Sequence, residues 1–165
     1  MGLFDKLFGK KEEINPNGIY APMAGEAVAI TEVPDPTFSS GMLGNGIAIK
    51  PTDGKVYSPV NGTVDTMFET GHAVSLVSDN GIEILIHVGL ETVGLGGAPF
   101  QVKCKNGQKV KKGDLLFVAD LDAIAAAGLP TITPVLVCNS DDYTTFNTTT
   151  GKAVANADVV IELGK

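Results

Sequence analysis

This sequence predicts an all-β protein, an antiparallel β-sandwich or flattened barrel, and three observations carry that expectation. Glycine is frequent (20 residues), tryptophan is absent and the apolar residues fall in short runs, a pattern that suits many short strands joined by turns. Asn80-Gly81 stands between two runs rich in Val, Ile and Leu, the strongest short-range signal for a hairpin closed by a two-residue type I′ turn. The chain also repeats itself. Ala21-Pro22-Met23-Ala24-Gly25 resembles Ser58-Pro59-Val60-Asn61-Gly62, and Gly107 to Phe117 superposes on Gly151 to Ile161, with Val110 on Val154 and Asp114 on Asp158. Small β units that cannot bury an apolar face alone suggest two similar halves forming one core, an internal pseudo-repeat.

Taken in order, residues 1–11 set Leu3, Phe4, Leu7 and Phe8 at helical spacing among Lys6, Lys10 and Lys11. They read either as a short interfacial helix in weak peripheral contact with anionic lipid or as a frayed tail. The segment is too short to span a bilayer, and Lys6 stands where a myristoylation signal needs Ser or Thr. Residues 1–18 form a flexible lead-in and residues 19–165 a single domain. Short strands and turns follow from Ile19. Pro34-Asp35-Pro36, Phe38 and the glycines from Gly41 to Gly46 mark a long loop with an acid and an exposed aromatic. Asp122 to Ala127, closed by Gly128 and followed by Pro130, is the one well-marked helix among the one or two very short ones expected.

Charge narrows the function. The formal net charge is −7 and all 12 basic residues are lysine, which argues against nucleic acid as a partner and against arginine forks for phosphate. No P-loop or complete dinucleotide loop is present: the Gly94 to Pro99 run lacks a third glycine, and Gly151-Lys152 is followed by alanine. Cys104 and Cys138 have no metal-ligand spacing and read as unpaired thiols. With no apolar signal region, a cytoplasmic location is expected, at the inner face of the membrane if residues 1–11 bind lipid.

The two histidines flank the Asn80-Gly81 hairpin. A type I′ turn pairing Asp79 with Ile82 would set Val74 opposite His87 and Ser78 opposite Glu83. His72, Val74, Leu76, Leu85 and His87 then share one face, with the histidines diagonal neighbours about 7–8 Å apart at the backbone. Ala73, Ser75, Val77, Ile82, Ile84, Ile86 and Val88 fall on the other face and read as core. The first set is an apolar patch holding two imidazoles, the mark of a docking surface.

Three chemistries compete at such a pair. A zinc hydrolase wants a third protein ligand and a base, and only Glu69, Glu91 or Asp35 is on hand to complete a site. A serine or cysteine nucleophile wants a histidine and an orienting acid, but Ser75 falls on the opposite face. The third is histidine as nucleophile, since a neutral imidazole nitrogen takes and passes on a phosphoryl group if it is well placed. Val56 to Val102 contains no lysine or arginine, so cations for the moving charge would come from partners. A rival from another class is a non-catalytic regulatory module whose histidine face only binds partners, with a zinc ion shared at His72 and His87.

Gly81-Ile-Glu-Ile-Leu-Ile-His87-Val-Gly89-Leu-Glu-Thr92-Val93 resembles the active-site signature of the glucose-type enzyme IIA proteins of the bacterial phosphoenolpyruvate-dependent sugar phosphotransferase system. The likeness continues in the Met1-Gly-Leu-Phe-Asp-Lys start, Ala21-Pro22 with Gly25, Val33-Pro34-Asp35, Gly44 to Pro51, Pro59 with Gly62, and Phe68 to Ala73. It implies a phosphotransfer intermediate of sugar uptake, an antiparallel β-sandwich with no organic cofactor beyond a transient phosphohistidine. His87 would be phosphorylated at Nε2 by the phosphocarrier HPr and would hand the group to an enzyme IIB domain of a permease. His72 would be needed for onward transfer, supported by a hydrogen bond from Thr70. Asp35 and Glu91 would be the flanking acids, Glu91 standing where many relatives have Asp. Phe38, Phe68, Val74, Leu85, Val88 and Val93 would form the docking rim. Enteric members also regulate permeases and kinases by binding them.

Overall fold

A computed structural model describes residues 14–165, so the expectations for residues 1–11, and the lead-in as far as residue 13, lie outside the described residues. From Asn15 on the lead-in is tied down, since Asn15 Nδ2 donates to Glu162, Leu163 N–H donates to Asn17 O and Gly18 opens a strand. Fourteen strands are described: β1 (Gly18–Tyr20), β2 (Gly25–Ala29), β3 (Asn45–Pro51), β4 (Lys55–Tyr57), β5 (Gly62–Met67), β6 (Ala73–Ser78), β7 (Glu83–His87), β8 (Phe100–Val102), β9 (Lys109–Val110), β10 (Leu115–Ala119), β11 (Thr133–Val137), β12 (Thr145–Thr148), β13 (Lys152–Val154) and β14 (Val159–Gly164). They form an eight-stranded sheet, ordered β13-β2-β3-β11-β7-β6-β5-β9, and two three-stranded sheets, β1-β14-β12 and β4-β10-β8. Every pairing described is antiparallel. The large sheet ends in open edges at β13 and β9, so the expected all-β sandwich is present and the barrel alternative is not.

Alternation sorts the large sheet's residues between two apolar layers. Ile47, Ile49, Val74, Leu76, Ile84, Ile86, Val135 and Val137 join Ile19, Val56, Leu116, Phe117, Val160 and Ile161 of the small sheets in the main core. Val28, Ala48 and Leu136 face the other way, against Val33, Phe38, Leu90 and Ile132. Histidine 87 sits at the border of these layers, as the last residue of β7.

The internal repeat is real in the hydrogen bonds. Ala21 N–H donates to Asp158 and Ser58 N–H to Asp114; Gly151 N–H donates to Ala27 and Gly107 N–H to Val64. Tyr20 N–H donates to Pro59 while Tyr57 N–H donates to Pro22, an exchange that makes the halves two-fold related. The repeated glycines answer to one need. A Cβ on Gly25 would lie 2.2 Å from the Lys50 carbonyl oxygen, and one on Gly62 2.2 Å from that of Val77. Both positions exclude any side chain because the neighbouring strand crosses too close.

Two local expectations change. The Pro34 to Gly46 stretch is not all loop: Asp35 caps a one-turn helix α1 (Pro36–Ser39), its Oδ1 accepting from Thr37 N–H at 2.9 Å, with Pro36 in the first turn. That turn swings Phe38 inward, where it is buried rather than exposed. The second helix, α2 (Leu121–Ala126), begins one residue before Asp122, because Asp120 accepts from Ala123 N–H and caps it. Gly128 stops it at φ 81°, as its position indicated.

The hairpin register is the main correction. β6 and β7 pair Ala73 with His87, Val74 with Ile86, Leu76 with Ile84 and Val77 with Glu83, one residue away from the expected register. Asn80 does not have the positive φ that a type I′ turn requires; Gly81 alone does, at 90°. Gly81 N–H donates to Ser78 O and Ser78 N–H to Ile82 O, so the loop has three residues, Asp79 to Gly81. Side chains decide this. Ser78 Oγ donates to Asn80 Oδ1 at 2.6 Å and accepts from Ile82 N–H, Asn80 Nδ2 donates to Pro16 O, and Asn139 Nδ2 donates to Gly81 O. The shifted register also sends Val74, Leu76, Ile84 and Ile86 inward together, which the expected one would have split between faces.

Candidate functional site: a histidine pair between two phenylalanines

The shifted register gives His72 and His87 opposite parity, yet their ring centroids lie 4.9 Å apart with planes at 80°. Alternation governs residues inside a ladder, and both histidines stand at its end. His72 precedes β6, and the last link is Val88 N–H donating to His72 O at 2.8 Å. Beyond it the chains bend at Gly71 (φ 70°) and Gly89 (φ 74°), and the rings meet around the end of the sheet.

Aromatic rings bracket the pair. Phe38 lies 4.9 Å from His87, centroid to centroid, and Phe68 5.4 Å from His72, with Phe100 at 6.5 Å behind it. Phe100 belongs to β8, in a different sheet, and nothing local in the sequence marks it as a neighbour. His72 is buried at 4% exposure, whereas His87 is half-buried and reaches the surface.

Each imidazole is held by Nδ1. His87 Nδ1 is 2.8 Å from the Gly89 carbonyl oxygen, which only accepts, so Nδ1 carries the proton and Nε2 keeps its lone pair. His72 Nδ1 is 2.5 Å from Thr70 Oγ1. The Gly89 carbonyl is a site component that sequence reasoning missed, because backbone acceptors have no residue signature.

Both rings are neutral at pH 7. Burial, with a smaller push from His87, lowers the His72 pKa from 6.5 to about 4. Burial lowers His87 too, opposed by its bond to Gly89, by its own backbone carbonyl, and by the negative charges of Asp35 and Glu91. Neutrality lets two imidazoles touch without like-charge repulsion.

The remaining predicted residues divide. Phe68 (37% exposed) and Val93 (52%) are surface groups, and Leu85 is half-buried on the His87 side, packed on the layer that holds Phe38. Asp35 and Glu91 reach His87 electrostatically. Val74 and Val88 are both 0% exposed, so neither belongs to a docking rim; the shifted register turns Val74 into the core, and Val88 lies in the same cluster, on the face that the expected register already gave it. Phe38 forms a wall of the site beneath the surface. Met42 and Leu43, missed in the sequence, are exposed just past α1. Among the described residues no group of three or more His, Cys, Asp or Glu side chains is arranged to hold a metal, and no helix is long and apolar enough to cross a membrane.

Comparison with known proteins identifies the family. Residues 17–143 match the family model for the phosphoenolpyruvate-dependent sugar phosphotransferase system, EIIA 1. The chain is 42% identical over 160 residues to a glucose-specific EIIA component of the phosphotransferase system from Staphylococcus epidermidis, covering 96% of both chains. It is 43% identical over 159 residues to the component of the same name from Bacillus cereus, again covering 96% of both. Among solved structures, the glucose permease IIA from Mycoplasma capricolum superposes with a TM-score of 0.80 at 33% identity, over 87% of this chain and 93% of that one. The fold is thus shared with the glucose permease IIA, and the chain belongs to the EIIA 1 family of the phosphoenolpyruvate-dependent sugar phosphotransferase system.

Proposed function

We propose that this chain relays a phosphoryl group in sugar uptake, accepting it on His87 from phospho-HPr and delivering it to the enzyme IIB domain of a glucose-type permease. The observation that carries this reading is the 2.8 Å contact of His87 Nδ1 with the Gly89 carbonyl oxygen: a carbonyl only accepts, so the ring proton is committed to Nδ1 and the Nε2 lone pair is left available. That lone pair attacks phosphorus, the phosphorus–nitrogen bond in the donor breaks, and the electron pair returns to the donor's imidazole. Onward transfer repeats the step with His87 as leaving group.

His72 is the neighbour that steadies the transferring group. Being neutral, it carries one ring proton; with Thr70 donating to Nδ1 that proton sits on Nε2, and an N–H donor then faces the phosphoryl oxygens. Asp35 and Glu91 sit beside the site and keep free anions away until a partner supplies cations. Phe68, Leu85 and Val93 offer apolar surface for that partner. The His72 and His87 nitrogens supply at most two ligands, so a zinc ion bridging to a regulated permease or kinase would draw the rest from the partner. The work is done at the cytoplasmic face of the membrane, where the permease domain is reached.

Incubation with phosphoenolpyruvate, enzyme I and HPr tests the reading. We expect an acid-labile, base-stable phosphate on the wild type, none on His87→Gln, and a label on His72→Gln that is passed to IIB at least about 100-fold more slowly, the scale of losing one transition-state donor. An unlabelled wild type would refute the relay and favour a binding module without catalysis. Normal turnover by both variants would refute the assigned roles.

A further inference from the structure

The turn that holds the Gly89 carbonyl against His87 is strained and has to be held in turn. Gly89 has φ 74° and Glu91 φ 62°, the latter being the one non-glycine residue with positive φ among the described residues. Leu90 N–H donates to the Pro130 carbonyl at 3.2 Å. In a trans peptide the N–H and C=O point opposite ways, so this bond aims the Gly89 carbonyl away from Pro130 and toward His87. The peptide before it is held by Thr92. Thr92 is 0% exposed, and its Oγ1–H donates to the Val88 carbonyl at 2.6 Å. Its methyl closes the other side: a Cβ on Gly89 would lie 2.7 Å from Thr92 Cγ2 and 2.8 Å from the Pro130 oxygen.

Resting on the phosphotransfer reading, we propose that Thr92 is a positioning residue. By clamping the Val88-Gly89-Leu90 turn it keeps the Gly89 carbonyl on His87 Nδ1 and so reserves the Nε2 lone pair for phosphorus. Thr92 touches neither imidazole in this scheme. It acts through two peptide planes, and the turn also reaches His72 through Val88 N–H. Valine at 92 would keep the methyl against Gly89 but leave the buried Val88 carbonyl without its donor. Serine would keep the donor and lose the methyl.

The test is imidazole ¹⁵N NMR at a pH where both rings are neutral, beside the rate of phosphoryl acceptance from phospho-HPr. Wild type should show His87 protonated at Nδ1. Thr92→Val should raise the Nε2–H fraction of His87 and slow acceptance about tenfold, one buried hydrogen bond's worth, while Thr92→Ser restores the wild-type tautomer. A Thr92→Val protein that keeps Nδ1–H on His87 and accepts phosphate at the wild-type rate overturns the proposal. If Thr92→Val does not fold, the Thr92 hydroxyl proton of the wild type decides: a slowly exchanging resonance supports the clamp, and fast exchange refutes it. If the tautomer shifts as expected but the wild type takes no phosphate, the clamp stands and the phosphotransfer reading falls.

Discussion

The two ends of the central strand pair make an instructive contrast. β7 and β11 lie side by side with Leu85 opposite Leu136, and the sheet extends from them in matching halves, β6-β5-β9 on one side and β3-β2-β13 on the other. At the end of β7 stands His87, opposite Ala73; at the corresponding end of β11 stands Cys138, just beyond the pairing of Val137 with Asn45. The scaffolds match, but the surroundings do not. Past His87 the chain enters the left-handed turn at Gly89 and lays a carbonyl on the ring. Cys138 instead spends its N–H on the Glu83 carbonyl, and Gly44 beside it leaves no room for a facing side chain, since a Cβ there would lie 2.2 Å from the Val137 oxygen. A two-fold sheet therefore supplies two similar platforms, and local turn chemistry holds an oriented histidine pair on only one of them.

The sharpest way to break this contrast is to move the histidine. In a His87→Gln background, Cys138→His should leave phosphate labelling at the complete loss expected of His87→Gln alone, because the chain past 138 does not repeat the left-handed turn that lays the Gly89 carbonyl on His87; labelling of the double variant would show that the platform alone suffices. A large effect of the opposite kind is expected where the halves are alike. Gly25→Ala and Gly62→Ala should each cost more than about 2 kcal/mol in denaturant unfolding, and by similar amounts, since each Cβ meets a strand carbonyl. A cost confined to one of them would mean the edges are not equivalent. The last effect is a pH slope at the histidine pair. The pKa of His72 is lowered by folding, so the unfolded chain takes the proton first as pH falls. Stability should be full above about 6.5 and decline toward about pH 4, and His72→Gln should flatten that decline. A slope unchanged in His72→Gln would place the titrating group elsewhere.

Much of this was legible in the chain itself. The β class followed from turn residues and short apolar runs, and the repeat, seen as Pro22 and Pro59 each three residues before a glycine, became matched hydrogen bonds because both copies solve the same packing problem. The nearness of His72 and His87 was anticipated from a hairpin whose register proved to be off by one. The rings meet because His72 lies just past the last ladder pair and His87 is the end residue of that pair, where the chains bend away and alternation no longer dictates direction.

What sequence alone determined is the inventory: which residues turn, which alternate, and that two imidazoles flank one hairpin in a stretch without basic residues. Tertiary structure decided the rest. Ser78, Asn80 and Asn139 chose a three-residue loop over a type I′ turn, and α1 buried Phe38 against His87. Phe100 arrived behind His72 from another sheet. Such outcomes depend on contacts between residues far apart in the chain, where packing and side-chain hydrogen bonds outweigh the few tenths to one kcal/mol or so that separate local turn and strand preferences.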